Sequence, residues 1–70
     1  MMNEQLLRLE EELYEAWAAY HMMPADISDE AAGAISTRCN EVYNRAYEEL
    51  GPGWTQNIIT AARVQTTRQL

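Results

Sequence analysis

Several residue types that support common protein chemistries are rare or absent in this chain of 70 residues. It has no lysine, a single histidine and a single cysteine, so an intrachain disulfide is impossible and a zinc site has too few ligands. No apolar run approaches the roughly 20 residues that a membrane-spanning helix needs. The first residues lack the basic region of a signal peptide, and we therefore expect a cytoplasmic protein that does not bind membranes.

The few candidate nucleophiles and bases do not form a catalytic group. Cys39 lies on an apolar stripe with Ile35 and Val42, which favours a small buried side chain over a reactive thiol. His21 lacks the glutamate three residues earlier that a metal site in a helical bundle would require. The carboxylates of residues 10–12 would point about 100° apart on a helix and cannot converge on one substrate atom. The sequence thus predicts no enzymatic activity, no cofactor and no metal.

Charge is distributed unevenly along the chain, whose net charge is −6. Residues 1–50 contain all 11 carboxylates, whereas residues 51–70 contain two arginines and no acid. A surface with this excess of carboxylates repels phosphate groups, so we do not expect direct nucleic-acid binding. It can be attracted instead to a basic surface on another protein. The acidic face that would make this contact comprises Glu11, Glu12, Glu15, Glu41 and Glu48.

Hydrophobic periodicity predicts two long helices, over about residues 4–22 and 29–50. Each has an apolar seam with the alternating spacing of three and four residues that is typical of packed helices. Asn3 is a good N-cap for the first helix, and Asp26 or Ser28 for the second. Arg45 has a glutamate four residues away on either side, which predicts ion pairs within the second helix. The two seams comprise Leu6, Leu9, Leu13, Ala16, Tyr20 and Met23 in the first helix, and Ile35, Cys39, Val42, Ala46 and Leu50 in the second.

A third, shorter helix is predicted over about residues 55–67. Gly51-Pro52-Gly53 ends the second helix, because glycine suits the left-handed position after a helix and proline cannot continue it. Thr55 is then the expected N-cap, preceded by Trp54, which would pack on Ile59. Residues 65–70 are polar and β-branched, and we expect them to fray. The predicted fold is one all-α domain over residues 1–70, an antiparallel helical hairpin with a short third helix.

Aromatic and thioether side chains cluster near the loop of this predicted hairpin. The third helix would start at the open end of the hairpin and would be too short to reach the loop, leaving these side chains without cover. An exposed patch of this kind typically marks an interaction site. The predicted protein-binding residues are Tyr14, Trp17, Tyr20, Met22, Met23, Ile27, Tyr43 and Tyr47.

A chain this small buries only about 60% of the surface that its unfolded form exposes, so a second subunit is an expected source of stability. We expect a homodimer in which two hairpins pair through their seams into a helical bundle. The expected function is stoichiometric binding to a regulatory protein, as an inhibitor, anti-activator or adaptor. By analogy alone, its small size and acidity suggest phage proteins that block a host factor. Two alternatives stay open: a nucleic-acid mimic that uses the acidic face, and a structural or assembly subunit.

Overall fold

Three helices make up the part of the chain that the computed structural model describes, residues 4–69. α1 spans Glu4–His21, α2 spans Asp29–Leu50 and α3 spans Pro52–Gln69, with no strand in this range. The prediction of an all-helical fold is therefore confirmed, and the bounds of the first two helices agree with the prediction to within one residue. Asn3, the predicted N-cap of α1, lies outside the described residues.

The loop between α1 and α2 is closed by local hydrogen bonds. The amide of Met22 donates to the carbonyl of Ala18 at 3.0 Å, which satisfies one carbonyl at the carboxyl end of α1. Ser28 is the N-cap of α2, and its hydroxyl accepts from the amide of Ala31 at 3.2 Å. Of the two predicted caps, Ser28 is therefore the one used.

The start of α3 differs from the sequence prediction. The helix begins at Pro52, and the amide of Thr55 donates to the carbonyl of Gly51 at 3.1 Å. Proline suits the first position of a helix, because the amide hydrogen that it lacks would have no partner there. Thr55 is thus not an N-cap but a buried residue inside the helix, 1% exposed. Trp54 is also helical, with half of its surface exposed, and its indole N–H donates to Glu10 of α1.

The end of α3 also differs from the expectation. The helix continues through Gln69, although polar and β-branched residues fill its last turns. The hydroxyl of Thr66 is hydrogen-bonded there, with its one hydrogen shared between the carbonyls of Ala62 and Arg63 at 2.9 and 3.0 Å. Leu70, the last residue of the predicted frayed tail, lies outside the described residues. Fraying of the tail in solution stays a prediction.

The core lies along α1, which packs against both α2 and α3 more extensively than those two pack against each other. Its seam matches the prediction at Leu9, Leu13 and Ala16, all buried. α2 contributes the predicted Cys39, Val42 and Ala46, and α3 adds Thr55, Ile59, Ala62 and Thr66. Because α3 covers the seam that we assigned to a second copy, seam-to-seam dimerisation would require α3 to move away.

Candidate functional site

Three rings meet at the carboxyl end of α1. The ring centroids of Trp17 and Tyr20 lie 5.6 Å apart, and that of His21 lies 6.1 Å from Trp17 and 5.5 Å from Tyr20. Residues three and four apart share one face of a helix, which explains why Trp17 meets both of the others. With the loop side chains of Met22, Met23 and Ile27, these rings form what we call the loop-end patch. The sequence analysis did not place His21 among the predicted protein-binding residues, although its spacing of four from Trp17 indicates the contact.

The loop-end patch is partly exposed. Tyr20 is 41% exposed and Met22 50% exposed, whereas Met23 and Ile27 are half-buried. Trp17 is also half-buried, because its ring packs against the core cluster of Leu9 and Leu13 with residues of α2 and α3. The expectation that the patch lacks intrachain cover is therefore wrong for Trp17.

Two ring nitrogens of the loop-end patch are buried without a hydrogen-bond partner in the described chain. They are Nε1 of Trp17 and Nε2 of His21. Most buried polar atoms in folded proteins are hydrogen-bonded, and one that is not costs about 1–3 kcal/mol. Burying these two nitrogens therefore lowers the stability of the fold, a cost that an apolar core side chain does not have.

The remaining predicted protein-binding residues lie elsewhere. Tyr43 and Tyr47 stack along α2 with ring centroids 6.0 Å apart; Tyr43 packs on the core, and Tyr47 is exposed. Within residues 4–69, no ring contact joins this pair to the loop-end patch. The hydroxyl of Tyr14 donates to the side-chain oxygen of Gln65 on α3. Tyr43 and Tyr47 are thus not joined to the ring cluster, whereas Tyr14 lies three residues before Trp17 on the same side of α1.

The predicted acidic face carries positive charge as well. Its outer members Glu11, Glu15, Glu41 and Glu48 are exposed. Glu12 instead forms an ion pair with Arg45 across α1 and α2, with the nitrogen and oxygen 3.2 Å apart. The predicted pairs of Arg45 with glutamates of its own helix do not form. Arg38 lines the same groove as Arg45, so the carboxylates here do not form an unbroken acidic strip.

A second groove, between α1 and α3, did not emerge from the sequence analysis. It is lined by an apolar floor of Tyr14 and Ile58 and by the carboxylates of Glu10, Glu11 and Glu15. The α1 residues recur three and four apart, which indicates one stripe of that helix. The pairing with Ile58 depends on how α3 packs, and no spacing in the sequence reports it.

Cys39 has the buried position that the sequence predicts. Its thiol donates to the carbonyl of Ala16 at 3.2 Å. Burial raises the pKa of the thiol, and the nearby Arg38 only partly opposes this effect. A buried neutral thiol is a poor nucleophile, since the thiolate is the reactive form.

Within residues 4–69, no group of three or more His, Cys, Asp or Glu side chains is placed to hold a metal ion. None of the three helices, over that same range, has the length and apolar character that crossing a membrane requires. No protein-family model, curated protein or solved structure matches this chain.

Proposed function

We propose that this chain is a protein–protein interaction module that pairs with a second copy of itself through the loop-end patch. The observation that carries the proposal is the exposure of Tyr20 and Met22, at 41% and 50%, around the half-buried ring of Trp17. Tyrosine, tryptophan and methionine are enriched at protein interfaces, where large side chains bury much area.

Contacts between the helices support an antiparallel hairpin of α1 and α2. The ion pair joins Glu12 to Arg45, whereas the hydrogen bond of Cys39 reaches Ala16, further along α1. Moving forward along α1 therefore means moving backward along α2. The loop of this hairpin then lies at the end of the bundle that holds Tyr20 and Met22.

α3 runs in the same direction as α1, because Trp54 contacts Glu10 and Gln65, later in α3, contacts Tyr14, later in α1. Trp17 packs against the core cluster that includes Ile59 of α3. Tyr20 and Met22, at the end of α1 and in the loop that follows, stay exposed.

Charge supports a second copy at this end of the molecule. Two chains of net charge −6 repel each other unless their contact avoids acidic residues. Residues 16–25, which contain most of the loop-end patch, have no carboxylate. Two copies can therefore meet there without placing the carboxylates of one chain against those of the other, and the acidic surfaces stay free for a second, different partner. Stoichiometric binding of such a partner, as inhibitor, anti-activator or adaptor, is the role that we propose for the dimer.

Light scattering coupled to size-exclusion chromatography tests the proposal, with a Tyr20→Ala, Met22→Ala double variant. Burying a large apolar side chain fully contributes about 1.5–3 kcal/mol to the free energy of association. Burying the exposed half of Tyr20 or of Met22 therefore contributes about 1 kcal/mol. A symmetric dimer buries two copies of each, about 4 kcal/mol in all. The double variant should therefore raise the dimer dissociation constant roughly a thousandfold.

Val64→Ala is the matched control, because it removes an exposed apolar side chain from α3. We expect a dimer at micromolar concentration for the wild type and the control, and a monomer for the double variant. A monomeric wild type would remove self-association from the proposal. Particles much larger than a dimer would favour the assembly subunit. A dimer that survives the double variant would place the contact on another face.

A further inference from the structure

We infer that the groove between α1 and α3 binds an arginine or lysine side chain presented by a basic amphipathic helix of a partner protein. This inference rests on the proposed function in that the chain acts by binding protein, and it names the chemistry of the partner. The groove is lined by Glu10, Glu11, Tyr14, Glu15 and Ile58, and we call it the α1–α3 groove. None of these residues belongs to the loop-end patch.

The size and lining of the α1–α3 groove suit one long side chain. Its volume is about 280 Å³, below the range of about 300–1,000 Å³ that is usual for sites of drug-sized ligands. Its lining is mostly apolar, with Tyr14 and Ile58 at the floor and the side chains of Glu10, Glu11 and Glu15 bordering it. Arginine and lysine match this arrangement, because an apolar stem leads to a cationic head that can reach polar groups at the rim. The ring of Tyr14 can also attract the cation through its face.

None of the carboxylates around this groove forms an ion pair with an arginine in residues 4–69, Arg63 and Arg68 of α3 included. The ion pair found in residues 4–69 uses Glu12 and Arg45, on the other side of α1. Arg8 and Arg38 also line grooves between α1 and α2. Glu10 accepts a hydrogen bond from the indole N–H of Trp54, a neutral donor. Three carboxylates without an ion pair favour a cationic ligand at this site and disfavour an anionic one.

Apolar side chains also lie along α1 on both sides of the groove, with Glu11 between them, which favours a helical partner segment. Leu7, seven residues before Tyr14, is exposed, and Ala18 follows Tyr14 by four residues. These spacings place all three on one stripe of α1. An amphipathic helix laid along this stripe can contact Leu7 with apolar residues while a basic residue enters the groove. A fully charged, extended peptide would leave the stripe uncovered.

Isothermal titration calorimetry of the full chain with a synthetic peptide tests the inference. The probe is an amphipathic leucine- and alanine-containing helix with two arginines, compared with the same peptide carrying uncharged citrulline in their place. The test variant is Glu11→Gln, Glu15→Gln, and the matched control is Glu41→Gln, Glu48→Gln on α2. All four glutamates are exposed, so neither variant should disturb the fold, and both change the net charge by the same amount.

The wild type should bind the arginine peptide, and this binding should weaken with added salt. The groove variant should lose about tenfold in affinity, the size expected for two partly screened ion pairs. The control variant should stay within about twofold of the wild type. The citrulline peptide should bind the wild type about tenfold more weakly than the arginine peptide.

Three results would overturn the inference. No binding of the arginine peptide by the wild type would show that the groove takes no such ligand. Equal losses in the two glutamate variants would show an attraction to net charge alone, and equal affinity for both peptides would show that the cation is not needed. The Tyr20→Ala, Met22→Ala variant separates this inference from the dimer: it should still bind the peptide whether or not it is monomeric, and loss of binding there would place the peptide on the loop-end patch.

Discussion

Replacing Thr55 with valine should make this protein more stable. The side chain of Thr55 is 1% exposed inside α3, and its hydroxyl has no hydrogen-bond partner in the described chain. Folding therefore removes this hydroxyl from water without compensation. Valine keeps the β-branched shape and replaces the hydroxyl with a methyl group that belongs in an apolar environment.

The expected gain follows from the two changes that the substitution makes. Burying a hydroxyl without a partner costs about 1–3 kcal/mol in proteins, and this cost is removed. The added methyl contributes up to about 0.8 kcal/mol of apolar burial, less whatever strain the extra volume causes. We expect the free energy of unfolding to rise by about 1–2 kcal/mol. In a domain of this size, each kcal/mol raises the melting temperature by about 4–8 °C.

Thr66→Val provides the matched control, because Thr66 is equally buried on the same face of α3 but donates to two carbonyls. That substitution should lower the free energy of unfolding by about 0.5–1.5 kcal/mol. Urea unfolding followed by circular dichroism, at one protein concentration for all variants, measures both changes. If Thr55→Val is as destabilising as Thr66→Val, the hydroxyl of Thr55 is hydrogen-bonded and the reasoning is wrong.

Three further predictions use the same unfolding measurement. Gly51→Ala should lower the free energy of unfolding by about 1–3 kcal/mol, because Gly51 has a φ of 88° and a ψ of 161°, which other residues rarely adopt. Gly33→Ala, in open space within α2, should instead raise it by about 0.5–1 kcal/mol. Equal effects of the two substitutions would contradict this account. Leu13→Ala should cost about 2–5 kcal/mol, since Leu13 is fully buried in the core, and a loss below 1 kcal/mol would indicate a loosely packed site. Stability should fall as the pH rises above the usual range of a thiol, because burial raises the pKa of Cys39 in the folded state while the unfolded thiol ionises first. Cys39→Ala should flatten that part of the pH profile, and an unchanged slope would assign it to other groups.

Local sequence signals were sufficient for α1, α2 and their inner faces. Pro24 and Gly51 interrupt the apolar periodicity, and Ser28 offers a capping hydroxyl at the point where the second helix begins. Residues such as Leu13 and Ala46 recur at helical spacing and are buried as expected. These features act within one or two turns of the chain, so they can be predicted without knowing what packs against them.

α3 shows where local signals fail. Its buried face contains Thr55 and Thr66, which a hydrophobicity pattern scores as polar, so the helix looked shorter and narrower than it is. The helix is extended by its packing on α1 over its whole length, an effect of tertiary contacts on weak local preferences. The longer α3 in turn buries part of Trp17 and leaves Tyr20 and Met22 as the exposed part of the loop-end patch.

The sequence by itself determined the helical class, the ends of α1 and α2, the buried thiol and the unequal distribution of acids along the chain. Only the tertiary structure decided that Arg45 pairs with Glu12 instead of a glutamate of its own helix, and that Ile58 joins Tyr14 in the α1–α3 groove. The physical reason is that spacing along a chain reports which residues share a face of one helix. Which faces meet, and at what height, depends on the packing of side chains that are distant in sequence.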